Sequence, residues 1–401
     1  MASIDQCDMV NGLSNERKKK TTQGKWVISR RRSCHGPKPV TKFGPKAKLV
    51  DDQSVEDCSI FSTCDPSSMM LGWKSEPRQV LIIKKPGDDD YLNRSFTQLA
   101  YWLVQEMNFL LYIEPATLSE SGFDNEEEHE NIRSKINIWE QEADVSSFSD
   151  RGLEASIDFI ITLGGDGTLL YAASLFQHSC PPVIAYHIGS LGFLTCFKFP
   201  NYKQDLKSVV NGNGKLILRK RLECTLMLKT DNDCKLDDNK MIKSYTVLNE
   251  LLIDRGSAQT LSNLDVYLND RLITTVQGDG LIVSTPTGST AYAAAAGGSM
   301  VHPSVPGILL TPVCPHSLSS RPVIVPSGVE LKIILSQESR CGAFASFDGR
   351  NRYELRRGDG IRVMTSVYPV PCLTQDDQIT DWFTSLGECL HWNVRQKQKP
   401  L

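Results

Sequence analysis

Three aspartates in this chain sit between glycines: Asp166 in "LGGDGTLL", Asp279 in "VQGDGLIV" and Asp359 in "RRGDGIRV". Asp-Gly is common turn chemistry, so context must separate a working carboxylate from a plain turn. The first triplet follows a strand-like, mostly apolar stretch at residues 157–163 and precedes helical periodicity at 168–176. It therefore falls at the carboxyl end of a buried strand and the start of a helix, where open α/β sheets bind ligands. Gly164, Gly165 and Gly167 would let backbone N–H groups approach phosphate oxygens without Cβ clashes. Thr168 is placed to cap the helix. An aspartate among these glycines repels phosphate. It suits a general base aimed at a hydroxyl, or a partner of Mg²⁺. The same residues also describe a Gly-rich turn with a capping Asp. Neither a Walker A loop nor a G-x-G-x-x-G fingerprint occurs.

The second triplet leads through an apolar run into "STPTGSTAYAAAAGG". Thr285, Thr287, Ser289 and Thr290 make a hydroxyl-dense, Gly/Pro-bent loop before a small-residue helix, which suits either a flat ligand or tight packing. The third triplet lies between two strand-like runs, which predicts a hairpin with no chemical role for Asp359. In "ASFDGRNR", Asp348-Gly349 is a further turn whose Arg350 and Arg352 could face an anion. Asn249 and Glu250 interrupt the apolar "TVLNELLIDRG". Buried, they would need partners such as an adenine edge and ribose hydroxyls; on an edge strand they would simply be solvated.

The elements that must position these residues change in texture along the chain. Residues 1–50 carry twelve Lys/Arg against three acids, so residues 1–75 are expected to be a disordered basic tail and linker. From 76 to 200, buried strands ("VLII", "NFLLYI", "IDFIITL") alternate with helical periodicity, which predicts an α/β domain with a parallel sheet. Ten acids at 119–150 mark a solvated insertion, with a helix near residues 132–139. From 201 to 370, short runs separated by turn residues predict an all-β domain, with a hairpin at Asn269-Asp270. Residues 371–401 are expected to hold a C-terminal helix with Ile379, Trp382, Phe383 and Leu386 on one face.

Composition excludes several classes. The chain has 401 residues and net charge −3, so nothing draws it toward nucleic acid as a whole. No apolar run is long enough to span a bilayer, and the N-terminus lacks a signal core. Twelve scattered cysteines with no C-x-x-C pair fit reduced thiols in a cytosolic protein.

Taken together, "GGDGT", "LNELLIDRG" and "GDGLIVSTPTGSTAYAAAAGG", in this order, resemble the NAD kinase family, and "HGPKPVTKFGPKA" and "SFDGRNR" resemble its animal cytosolic members. Diacylglycerol and sphingosine kinases share GGDGT alone; the third motif points to the NAD kinases. The resemblance implies transfer of the ATP γ-phosphate to the 2′-hydroxyl of the adenosine ribose of NAD, giving NADP and ADP. It implies that Asp166 is the base, and that Gly164, Gly165, Gly167 and Thr168 form the phosphate-handling turn. Asn249 and Glu250 would bind the adenosine portion, Asp279 the nicotinamide end, and Thr290, Ala291 and Tyr292 would line the dinucleotide site. Many members carry Ser where this chain has Ala295. Mg²⁺ would accompany ATP, held chiefly by phosphates and water. The family also implies a homo-oligomer, a tetramer or dimer. The motifs fall on both expected domains, so the site is expected in the cleft between them. Finally, "RRRS" places Ser33 in a basophilic protein-kinase context within the tail; a plain solubilising tail reads the same residues equally well.

Overall fold

The computed structural model describes residues 17–20, 26–29, 36–51, 69–122, 132–139, 156–229, 240–376 and 378–393. Ser33 lies outside them. One sheet of eleven strands and two antiparallel sheets of six strands each carry the fold, and a two-stranded ladder pairs Arg17–Lys20 with Trp26–Ser29. No described helix is long and apolar enough to cross a membrane.

The large sheet has a parallel centre. Strands Val183–His187, Phe159–Gly164, Gln79–Lys84, Leu110–Ile113 and Ile136–Ile138 lie side by side and run the same way. The central strands Phe159–Gly164 and Gln79–Lys84 are buried on both faces because helices cover both. On one face pack Asp90–Gln105 and Tyr202–Val210; on the other packs Asp166–Leu175. Helix Asp90–Gln105 follows from local chemistry. Asp89 caps it by accepting from the backbone N–H groups of Tyr91 and Leu92, and Leu92, Phe96, Leu99 and Leu103 form its buried stripe. The α/β expectation for this region is met.

Four differences from the sequence reading have physical causes. The N-terminal stretch read as tail and linker contains three strands, Lys42–Phe43, Ala47–Asp51 and Met69–Trp73, which extend the large sheet. Few apolar residues suffice there because Phe43, Ala47 and Leu71 are all placed inward. Lys46 also pairs at 2.8 Å with the fully buried Asp158. Within the acidic region Ile132 and Arg133 are helical, but a strand, Ile136–Ile138, takes up the later part of the expected helix, because it can add to the edge beside Leu110–Ile113. The expected boundaries at 201 and 370 also shift. Lys215–Arg219 and Val370–Thr374 pair with each other inside the large sheet, so the chain leaves it after 219 and returns at 370. Lastly, the C-terminal helix forms at Gln378–Leu390, but only part of its apolar face is covered: Leu386 is buried while Ile379 and Phe383 are half exposed.

The two six-stranded sheets pack face to face over one apolar core that includes Leu226, Val266 and Ile333 from one sheet and Leu251, Val283 and Ala345 from the other. The Asn269-Asp270 hairpin forms as expected, with φ of 49° and 66°. The third GDG triplet does not make a hairpin. Arg350–Leu355 belongs to one sheet and Gly360–Thr365 to the other, so Asp359 sits where the chain crosses between layers. Its carboxylate accepts from the backbone N–H groups of Lys229 and Arg356, which keeps its role structural. Asp279 marks a second such crossing, between Arg271–Gly278 and Gly280–Ser284.

Candidate functional site

The parallel strands Gln79–Lys84 and Phe159–Gly164 end together: Lys84 pairs with Leu163, and the Lys85 N–H donates to Leu163 O at 2.9 Å. Helix Asp166–Leu175 starts there, with Gly165 as its N-cap residue and no side-chain cap. Thr168 therefore does not cap the helix. The helix begins two residues before it, so Thr168 lies inside the first turn, mostly buried. Gly164 is required by this packing, since a Cβ on it would stand 2.3 Å from Thr168 Oγ1. Gly165 and Gly167 are different. A Cβ on either would meet nothing within 4 Å, so no protein contact demands glycine there. Both line a cavity of about 470 Å³ together with Lys85, Tyr171 and Arg350. An adjoining cavity of about 580 Å³ shares Lys84, Pro86 and Tyr171 and adds Glu114 and Trp139. A separate cavity of about 320 Å³, beside Gly36, Glu223 and Ser327, contains none of the candidate site residues.

The Asp166 carboxylate is held by the following loop. Oδ2 accepts from Phe193 N at 2.9 Å; Oδ1 accepts from Leu194 N at 3.0 Å and from Thr195 Oγ1 at 3.3 Å. Gly192 makes this possible, since a Cβ there would lie 2.0 Å from Asp166 Oδ1. The C-terminal helix supports the loop in turn: Ser385 Oγ donates to Gly192 O at 3.2 Å. With one N–H partner, Oδ2 keeps capacity for a further donor.

Asn249 and Glu250 open strand Glu250–Asp254, which is paired on both sides and so is not an edge. Asn249 is buried, and Gly288 packs against its backbone so closely that a Cβ there would lie 2.2 Å from Asn249 O. The Asp348 carboxylate clamps this segment, accepting from the N–H groups of Leu248, Asn249 and Glu250 at 2.7, 2.8 and 3.0 Å. Glu250 Oε2 is buried with no hydrogen-bond partner among the described residues. Burial, and then the charge of nearby Asp348, push the Glu250 carboxyl up to about 7.

That shift has a definite sign. The ordinary Glu value is near 4.5, so folding favours the protonated form. Its contribution to stability is full below about pH 4.5 and is lost as pH rises through about 7. Glu250→Gln should therefore gain stability relative to wild type across that window, by up to about 3 kcal/mol, and hold a constant difference above it. Denaturant unfolding of both proteins from pH 4.5 to 8 measures this; a pH-independent difference would refute it.

The hydroxyl-dense loop is used largely for folding. Thr285 Oγ1 donates to Leu248 O and accepts from Gly288 N. Ser289 Oγ both donates to Val301 O and accepts from Val301 N. Thr290 Oγ1 donates to Thr287 O at 3.2 Å, Ala291 is partly covered, and Tyr292 is 43% exposed. Asp279 Oδ1 accepts from Arg255 Nε at 2.6 Å. The sequence reading overlooked Lys85, Tyr171, Gly192 and the clamp by Asp348. Of these only "KKP", straight after a buried strand, carried a local signal.

Models of two families match the chain: the ATP-NAD kinase N-terminal domain over residues 80–214 and the ATP-NAD kinase C-terminal domain over residues 248–374. The chain is 42% identical over 357 residues to NAD kinase 2, chloroplastic, of Arabidopsis thaliana, covering 87% of this chain and 34% of that protein. It is 35% identical over 329 residues to an uncharacterized kinase of Schizosaccharomyces pombe, covering 78% of this chain and 79% of that protein. The crystal structure of yeast NADH kinase complexed with NADH superposes with a TM-score of 0.73 at 28% identity, over 90% of this chain and 99% of that one. The chain spans 34 to 64% of the length of four plant relatives. Both domain models match in order along one chain and together span more than half of it, at residues 80–214 and 248–374, so the chain belongs to the ATP-NAD kinase family.

Proposed function

We propose that the protein transfers the γ-phosphate of ATP to the 2′-hydroxyl of the adenosine ribose of NAD, producing NADP and ADP. The observation that carries this reading is the buried, unpartnered Glu250 Oε2 beside Asn249. A buried carboxylate oxygen without a partner is costly in an empty protein and is satisfied by a ribose hydroxyl. Asp166 is the base in this reading. A bond forms between the ribose 2′-oxygen and the γ-phosphorus, the bond from that phosphorus to ADP breaks, and the hydroxyl proton passes to Asp166 Oδ2. The loop donors at 193–195 fix the carboxylate in one orientation, which is what a positioned base needs. Gly165 and Gly167 leave room for the phosphate chain against the helix start.

Among the described residues, no group of three or more His, Cys, Asp or Glu side chains could hold a metal ion. Mg²⁺ therefore has no protein cage assigned in this proposal; it would arrive on the phosphate oxygens of ATP and neutralise their charge. A homo-oligomer belongs to the same proposal. Leu272, Ile273, Val323 and Ile324 are each about half exposed, and they lie on the edge strands Arg271–Gly278 and Val323–Pro326 of the two β sheets, where a second copy would cover them. Incubation of the full chain with ATP, Mg²⁺ and NAD should yield NADP, read by an NADP-specific dehydrogenase. No NADP from well-folded protein would overturn the reading.

A further inference from the structure

We propose that Arg350 is a phosphate-binding residue of the donor site and that Tyr171 is its positioning residue; this rests on reading the cavity at the GGDGT turn as the place of phosphoryl transfer. Arg350 comes from the β-rich part of the chain, on the hairpin between Ala343–Phe347 and Arg350–Leu355. Asp348 and Gly349 form its tip at φ of 49° and 69°. The tip cannot swing freely, because the Asp348 carboxylate is held by three backbone N–H groups at residues 248–250. A fixed turn therefore delivers Arg350 into the cavity lined by Gly165 and Gly167.

There the Arg350 guanidinium lies 4.8 Å from the centroid of the Tyr171 ring. Tyr171 stands on the helix that begins at Asp166, and its hydroxyl donates to the Glu114 carboxylate. The ring is thus tied down at its far end and offers its face to the cation. Stacking on a ring face leaves the N–H edge of a guanidinium free for oxygens.

The same hairpin supplies an internal contrast. Arg352, two residues on, also covers an aromatic ring, Phe344, at 4.3 Å, but its Nη2 lies 3.5 Å from Asp254 Oδ1. Among the described residues no carboxylate stands within ion-pair distance of Arg350. Arg352 is neutralised by the protein; Arg350 is left with its charge facing a cavity that also holds Lys85 and two glycines. An anion with several oxygens fits that environment, and a neutral ligand does not. In phosphoryl transfer such a cation neutralises charge that spreads over the transferring group.

The test uses inorganic tripolyphosphate as probe and the full chain, followed by calorimetry. Arg350→Ala should weaken binding at least tenfold, Arg350→Lys less, and Arg352→Ala less than twofold. Tyr171→Ala should weaken binding about as much as Arg350→Ala, and the double variant no further. Tyr171→Phe, which keeps the ring, should recover most of the loss. In steady-state assays Arg350→Ala should raise the KM for ATP at least tenfold while the KM for NAD stays within twofold. Melting curves for every variant separate these effects from unfolding. The proposal is overturned if wild type binds no tripolyphosphate, if Arg350→Ala binds within twofold of wild type, or if Arg352→Ala matches it. Wild type that binds tripolyphosphate through Arg350 yet makes no NADP would sink the proposed reaction and leave the role of Arg350 standing. NADP formation with an unchanged ATP KM in Arg350→Ala would do the reverse.

Discussion

Asp166→Asn is expected to lower kcat for NADP formation by about 10²–10⁴-fold, the range a positioned general base supplies. The amide is nearly isosteric but cannot take the 2′-hydroxyl proton. The substitution also has a structural side effect that must be measured. Both carboxylate oxygens now accept from N–H groups, at Phe193 and Leu194, and an amide offers only one acceptor oxygen. One of these donors would face an NH₂ group, at a cost of about 1–3 kcal/mol if it stays buried and unpaired. NAD affinity by calorimetry and a melting curve therefore accompany the kinetics. The expected pattern is NAD binding within a few-fold of wild type, a modestly lower Tm and a collapsed kcat. Turnover near that of wild type would remove Asp166 from the role of base while leaving the family assignment untouched.

Arg221→Leu is expected to destabilise the fold by about 3–5 kcal/mol. Arg221 is almost fully buried at 1% exposure, and its guanidinium binds the end of the helix that begins at Asp166. Nη1 donates to Phe176 O at 2.5 Å and to Ala173 O at 3.4 Å, Nη2 donates to His178 O, and Nε donates to Tyr368 O at 2.7 Å. A cation at a helix C-terminus satisfies carbonyls that have no intrahelical partner and meets the negative end of the helix dipole. Its charge also lowers the Asp348 carboxyl, against the larger upward push of burial. Leucine would fill part of the volume and strand the Phe176 and His178 carbonyls, whereas Ala173 O keeps the Phe176 N–H. Urea unfolding, read by tryptophan fluorescence, measures the change; a loss below 1 kcal/mol would show that the carbonyls find other donors.

Much of the architecture was legible because it is encoded locally. The mostly apolar runs at 80–83 and 157–163 announce strands buried on both faces, and apolar residues at helical spacing after residue 90 announce a helix. The Asn269-Asp270 turn announces a hairpin, since that geometry needs residues that tolerate positive φ. The strand–glycine–helix sequence around Asp166 likewise marked the carboxyl edge of the sheet, because chain order alone puts a turn there.

Apart from the Thr168 cap, which the local start of the helix at Asp166 displaces, the readings that shifted depend on contacts between distant residues. Asp359 looked like a hairpin aspartate because its flanks read as strands; which sheet each flank joins is not a local property. The hydroxyls at 285–290 suit either a ligand or tight packing in sequence, and Leu248 and Val301 decide for packing at two of them. Residues 42–51 and 69–73 looked too polar to order, yet Lys46 reaches Asp158 across 112 residues. The clamp of Asp348 on Glu250 spans 98 residues, and that of Arg221 on Phe176 spans 45.

The sequence by itself determined the fold class, the order of the layers and the position of the GGDGT turn. Periodicity, turn chemistry and motif spacing act within a few residues, so a linear reading captures them. Only the tertiary structure decided which polar groups remain open to a ligand. A hydroxyl or carboxylate is available only when nothing else in the fold satisfies it, and those partners come from anywhere in the chain. That is why Glu250 Oε2 and Arg350 stand out once the chain is folded, while Asp359, Thr285 and Ser289 recede into the scaffold.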